Sequence, residues 1–155
     1  MEPAPEPLRL YGHVSDARPP DWTWVDAELA QAGTYWVVSR SPRHPHPRPV
    51  WGVWNDRKLF LSIGSPTITR ELVDDPTMTV HLDSGTDVVI VEGKVSGTCI
   101  EPAVFALYDA KYEWTYTIDE YGPLTMVAPS IVIAWRSADW AGRGGIGSAG
   151  RFRLS

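Results

Sequence analysis

The sequence predicts a mainly β fold, a barrel with a few helices. Three observations carry this. Beyond residue 33, β-branched and aromatic residues recur in about seven short runs. Turn residues separate several of these runs at hairpin spacing, which favours a barrel over a sandwich. The length, 155 residues, suits one core of ordinary size. The expected organisation is a proline-rich N-terminal tail over 1–20 and a single barrel domain over 21–155.

A helix is expected over 21–32: Asp21 can cap it, Trp24, Ala27, Leu29 and Ala30 give an apolar stripe, and Gly33 stops it. The run 34–39 is a strand, with Tyr35, Trp36, Val37 and Val38. Prolines 45, 47 and 49 read as a loop leading into a second strand, 50–54. Asn55, Asp56 and Arg57 turn the chain into a third, 58–63, closing a hairpin. A short helix follows over 67–73, with Thr67 as its cap, ended by Asp74-Asp75-Pro76. Then come a strand over 78–82 and a long strand over 87–100, bent at Gly93 or Gly97. Pro102 opens a helix reaching about residue 116. Strands 124–127 and 130–136, a glycine-rich loop over 142–150 and a last strand over 151–154 complete the chain.

Charge and composition exclude several functions. The net charge is −5, so no basic footprint for nucleic acid exists. Cys99 is the only cysteine, which rules out an intrachain disulfide and a thiolate metal cluster; it reads as a core thiol in a reducing cytoplasm. The N-terminus lacks the basic and apolar regions of a signal peptide, and no apolar run is long enough to span a membrane. Neither a nucleic acid nor a membrane is expected as a partner. The four histidines, His13, His44, His46 and His81, have no metal-ligand spacing and read as solvated. No G-x-S-x-G elbow occurs, and Asp74-Asp75 reads as a helix stop.

Two stretches point to a ligand. Residues 62–70 run from a strand end into a helix start and contain Ser62, Ile63, Gly64, Ser65, Thr67, Thr69 and Arg70. Free N–H groups, hydroxyls and one arginine suit an anion; an ordinary capped helix fits equally well. Gly52 lies between the bulky Trp51 and Val53. It marks either a close approach by a flat ligand or a barrel corner. Eight tryptophans, among them Trp36, Trp51, Trp54 and Trp135, suggest a flat apolar pocket.

The motifs His46 with Pro49-Val50-Trp51-Gly52-Val53-Trp54, Leu59-Phe60-Leu61-Ser62, Asp75-Pro76, Val80-His81-Leu82 and Val88 to Gly93 extend across much of the chain. Lys111-Tyr112, Ala134-Trp135 and Arg151-Phe152-Arg153 follow near the C-terminus. In these the sequence resembles the pyridoxamine 5'-phosphate oxidase-like superfamily of split β-barrels, and more narrowly the actinobacterial flavin/deazaflavin oxidoreductases of the B group. The resemblance implies a split β-barrel homodimer with cofactor sites at the interface. It implies F-420, or alternatively FMN, and hydride transfer to a small planar substrate. The cofactor ring would lie by Pro49, Val50, Trp51 and Gly52. Ser62, Ile63, Gly64, Thr67, Thr69 and Arg70 would hold the phosphate, and Trp135 and Arg151 would approach from the partner subunit. Tyr112 or Tyr116 would be candidate general acids. Where the family has Lys or Arg pairs, this chain has Ile68 and Thr69, and Arg70 alone remains. Val88 stands where true pyridoxamine phosphate oxidases have glutamine, which argues against vitamin B6 oxidation. The lost cations support an alternative: a non-catalytic split barrel binding a cofactor or tetrapyrrole at a degenerate phosphate site.

Overall fold

Asp21 starts the first helix as expected. Its backbone is extended and its carboxylate accepts the Trp24 N–H at 2.9 Å, satisfying one donor that a helix start leaves free. Helix α1 (Trp22–Gln31) buries Trp22, Val25 and Leu29. The computed structural model describes residues 1–10, 12–14, 18–136 and 148–155. Ahead of α1 lie three short strands, β1 (Glu6–Pro7), β2 (Arg9–Leu10) and β3 (His13–Val14). The segment expected as a tail therefore contributes to the sheet: β1 pairs antiparallel with the last strand, β11 (Gly150–Arg153). The glycine-rich loop expected over 142–150 lies outside the described residues as far as residue 147.

Between α1 and β11 the chain is mostly antiparallel sheet. Strands β4 (Tyr35–Ser39), β5 (His46–Val50), β8 (Thr77–His81), β9 (Val88–Cys99) and β10 (Leu124–Trp135) lie in the order β11-β10-β9-β8-β4-β5. Two of the prolines expected in a loop lie within β5, at the sheet's edge: Pro47 and Pro49 pair with Val38 and Trp36. They take alternate positions, so both missing N–H groups fall on one side of a strand that needs ladder donors only on the other.

The strand expected over 50–54 is broken at Trp51. Val50 ends β5, and β6 (Gly52–Asn55) starts a different pairing, with β7 (Lys58–Leu61). The hairpin turns through Asp56 and Arg57, at φ 48 and 56, a mirror-image turn whose twist suits a two-residue hairpin. Strand β7 then pairs with Thr125–Val127 of β10, so the sheet branches there. Alternate residues of the hairpin enter different cores. Trp54, Leu59 and Leu61 join the main cluster with Tyr35, Val80, Val91 and Phe152. Val53 and Phe60 join a second cluster with Cys99, Val104, Tyr108, Tyr116 and Leu124. Burial on both faces explains why the run has no polar alternation.

Gly52 is explained by this packing. A Cβ there would stand 2.6 Å from the Phe60 carbonyl oxygen and 2.7 Å from a Leu61 methyl. It is a corner glycine set by the neighbouring strand, so the expectation of ligand contact at its α-carbon gives way to the other reading.

Four further boundaries differ from expectation. Helix α2 (Pro66–Asp74) is capped by Ser65, whose hydroxyl accepts the Ile68 N–H at 3.4 Å; Thr67 lies inside the helix. Helix α3 (Pro102–Tyr112) stops short of residue 116 because Glu113 takes a left-handed φ of 51. A one-turn helix, α4 (Ile118–Tyr121), was not anticipated. The two strands expected over 124–136 are one, β10, with an extra residue at Ser130. Opposite it, β9 carries an extra residue at Ser96. Each serine hydroxyl donates across the bulge, Ser130 to the Glu92 carbonyl at 3.0 Å and Ser96 to the Met126 carbonyl at 3.4 Å. No helix among the described residues is long and apolar enough to cross a membrane.

Candidate functional site

The break at Trp51 turns its indole out of both cores. A cleft of about 400 Å³ opens there, walled by three separate segments. The β5–β6 corner gives Arg48, Pro49, Val50 and Trp51; the link into α2 gives Ser62, Gly64 and Ser65; α3, α4 and the chain between them give Tyr108, Trp114, Tyr116 and Tyr121. A bond from the Ser62 N–H to the Trp51 carbonyl, 2.9 Å, joins the first two walls. His46 Nδ1 lies 2.8 Å from Glu71 Oε1, so β5 also approaches α2 lower down. Glu71 also accepts from Ser39, whose hydroxyl leads the effects that hold this carboxyl below its ordinary range.

One end of the cleft suits an anion. Helix α2 starts there: Ser62, Gly64 and the cap Ser65, whose hydroxyl accepts the Ile68 N–H, line the cleft at the positive end of the helix. Arg48 adds a guanidinium; one of its nitrogens donates to the Pro47 carbonyl at 2.8 Å, which leaves the others available. The other end suits a flat apolar group. Trp51, 42% exposed, stacks on Tyr112 with ring centroids 4.5 Å apart and planes 2° apart. Trp114 stands edge-on to Trp51 at 5.9 Å. Burial pushes the Tyr108 phenol up to about 12 and raises Tyr116 as well, so both stay protonated at neutral pH.

Of the residues proposed from sequence, Pro49, Val50, Trp51, Ser62 and Gly64 line this cleft. Gly52 adjoins it, but Tyr112 accepts its N–H at 3.0 Å and Lys111 donates to its carbonyl at 3.0 Å. Ile63 packs against the main core. Thr69 is exposed and spends its hydroxyl on the Ser65 carbonyl at 3.0 Å. Thr67 and the exposed Arg70 lie on α2 away from the lining. Trp135 and Arg151 belong to the far branch of the sheet, where Trp135 Nε1 and Arg151 Nε are buried without a partner among the described residues. Nor do the four tryptophans form one pocket. Trp54 is buried, donating to Asp26 at 2.8 Å, and Trp36 stacks on His81 with its Nε1 on Asp83. Sequence reasoning placed Ser65 in the anion-binding stretch but missed Arg48, Tyr108, Trp114 and Tyr121. Arg48 had one usable signal, a cation between alternate prolines directly before the ring-contact motif. No cluster of three or more metal-ligating side chains occurs among the described residues.

A branched antiparallel sheet with a cleft at its corner is the split β-barrel of the pyridoxamine 5'-phosphate oxidase-like fold, and solved structures share it. An F420 reductase superposes with a TM-score of 0.56 at 15% identity, covering 69% of this chain and 94% of that one. A FAD-binding protein from Mesorhizobium loti gives 0.58 at 11% identity, over 90% and 99%. A FAD-binding protein from Mycobacterium smegmatis gives 0.54 at 17% identity, over 88% and 98%. No protein-family model matches the sequence, and no curated protein matches it.

Proposed function

We propose that the cleft binds a flavin-type cofactor, F-420 or alternatively FMN, and that the protein is an oxidoreductase acting on a small planar substrate. One observation carries this reading: an anion-binding helix start and a stacked, half-exposed indole share one cleft. Arg48, Ser62 and Ser65 would hold the phosphate, and Trp51 and Trp114 would face the ring. The cofactor supplies hydride transfer; this chain's residues bind it, orient it and keep water from its face. The protonated phenol of Tyr108 can donate a hydrogen bond within the cleft, whereas Tyr116 spends its hydrogen on the Gly122 carbonyl. Arg48 also answers the absence of cations at Ile68 and Thr69: the charge comes from the edge strand in place of the helix. A second copy of the chain is proposed to complete the site with Trp135 and Arg151, as the family resemblance implies.

Fluorescence titration with F-420 and with FMN tests the reading. Saturable binding of F-420 is expected. Arg48→Ala should weaken it by about ten- to hundredfold, the loss of one charge-assisted contact, while Arg70→Ala leaves it unchanged. Failure of both cofactors to bind would remove the proposal. Binding without turnover would convert it to the carrier alternative. Sedimentation that finds only monomer would remove the shared site.

A further inference from the structure

Lys111, near the C-terminal end of α3, is an unusual neighbour for the cleft. Its ammonium donates to the Gly52 carbonyl at 3.0 Å and to the Tyr35 hydroxyl at 2.9 Å. It sits over the rings of Tyr35 and Tyr112, 4.7 and 5.3 Å from their centroids. No ion pair among the described residues includes it. The groups facing it are the phenols of Tyr35 on β4 and Tyr112 on its own helix, and the Gly52 carbonyl on β6.

The fold does not need this charge. The Tyr35 hydroxyl already donates to the Leu29 carbonyl at 2.6 Å. The Gly52 carbonyl has a second donor within reach, the Tyr112 hydroxyl at 2.9 Å. A methionine of similar length would fill the space without burying an unpaired cation. What Lys111 changes is the behaviour of Tyr112. That phenol has one hydrogen and two carbonyls in range, Gly52 at 2.9 Å and Gly33 at 3.1 Å. With Lys111 occupying Gly52, Tyr112 is free to donate to Gly33, and its oxygen still accepts the Gly52 N–H. The ring so fixed is the one on which Trp51 stacks.

We propose that Lys111 is a positioning residue, which locks Tyr112 and the Trp51–Gly52 corner so that the indole is presented to a ring in the cleft. This rests on the flavin-type reading above. Burial pushes the Lys111 ammonium down to about 8. Burial raises the Tyr35 and Tyr112 phenols above their ordinary value. Lys111 is therefore the member of this cluster that loses its proton between about pH 7 and pH 9. Its folded value lies below the ordinary 10.5, so the buried charge disfavours folding at low pH, and that penalty lifts as pH rises from about 8 to 10.5.

Lys111→Met and Lys111→Arg test the assignment at about pH 7 and pH 9, with FMN and F-420 as probes. The Met variant should melt no lower than wild type, with its advantage shrinking above about pH 8, yet bind the probe about tenfold more weakly at pH 7. Wild type should lose affinity towards pH 9; the Met variant should not, and Arg should restore part of the binding at both. Near-ultraviolet circular dichroism of the free protein should show the Trp51 signal falling in the Met variant and, in wild type, with rising pH. Equal affinity in Met variant and wild type overturns the proposal. So does a Met variant that loses stability and affinity together. If wild type binds neither probe, the flavin reading falls; the dichroism then decides, and a signal unmoved by variant or pH overturns the positioning role.

Discussion

The β6–β7 hairpin divides two cores that differ in kind. On one side Leu59, Leu61, Val80, Val91 and Phe152 are fully buried and carry no polar atom. On the other, Phe60 meets Tyr108 and Tyr116, with Phe105 and Tyr112 at the margin. The main core also holds Trp22, Tyr35 and Trp54, but the Tyr35 hydroxyl and the Trp54 N–H find partners in the Leu29 carbonyl at 2.6 Å and Asp26 at 2.8 Å. The second cluster is richer in tyrosine, and its Tyr108 and Tyr116 line the cleft. The first holds the sheet closed; the second trades some apolar burial for a wall that can contact a ligand.

Three substitutions probe that division. Phe152→Ala should cost about 3–5 kcal/mol in urea unfolding, because Phe152 is fully buried with its ring edge-on to Trp22 at 5.5 Å; a loss below about 1 kcal/mol would mean the main core does not carry the fold. Gly52→Ala comes next, at about 1–3 kcal/mol, since the added methyl presses on the Phe60 carbonyl from 2.6 Å and must part β6 from β7. Its near-ultraviolet dichroism should change too, because Trp51 is adjacent. Tyr116→Phe should cost about 1 kcal/mol, the bond from its hydroxyl to the Gly122 carbonyl at 2.9 Å. Tyr116 also lines the cleft, so cofactor affinity should fall with it. An unchanged affinity would place Tyr116 with the structural core alone.

Local features were legible in the sequence. Asp21 before an apolar stripe gave the first helix, and the aromatic and β-branched residues Tyr35, Trp36, Val37 and Val38 gave the strand that follows. What stayed hidden depends on contacts between distant segments. A strand buried on both faces shows no period, so Val53 and Trp54 did not reveal that they serve different cores. Cys99 read as buried, but nothing local said in which cluster. The cleft is assembled from residues 48–51, 62–65 and 108–121, which only the branching of the sheet brings together. Ile68 and Thr69 suggested a site short of charge, because Arg48, which lines the cleft, lies on the edge strand and not on α2.

Ser96 and Ser130 act on the strands as a dropped beat acts on a rhythm. Before Ser96, odd-numbered residues of β9 (Val89, Val91, Val95) point into the main core; after it, Cys99, also odd, points into the other. Strand β10 changes step at Ser130, with Leu124 on one side and Val132 and Ala134 on the other. Two single-residue insertions thus change which alternate residues of this strand pair face each interior.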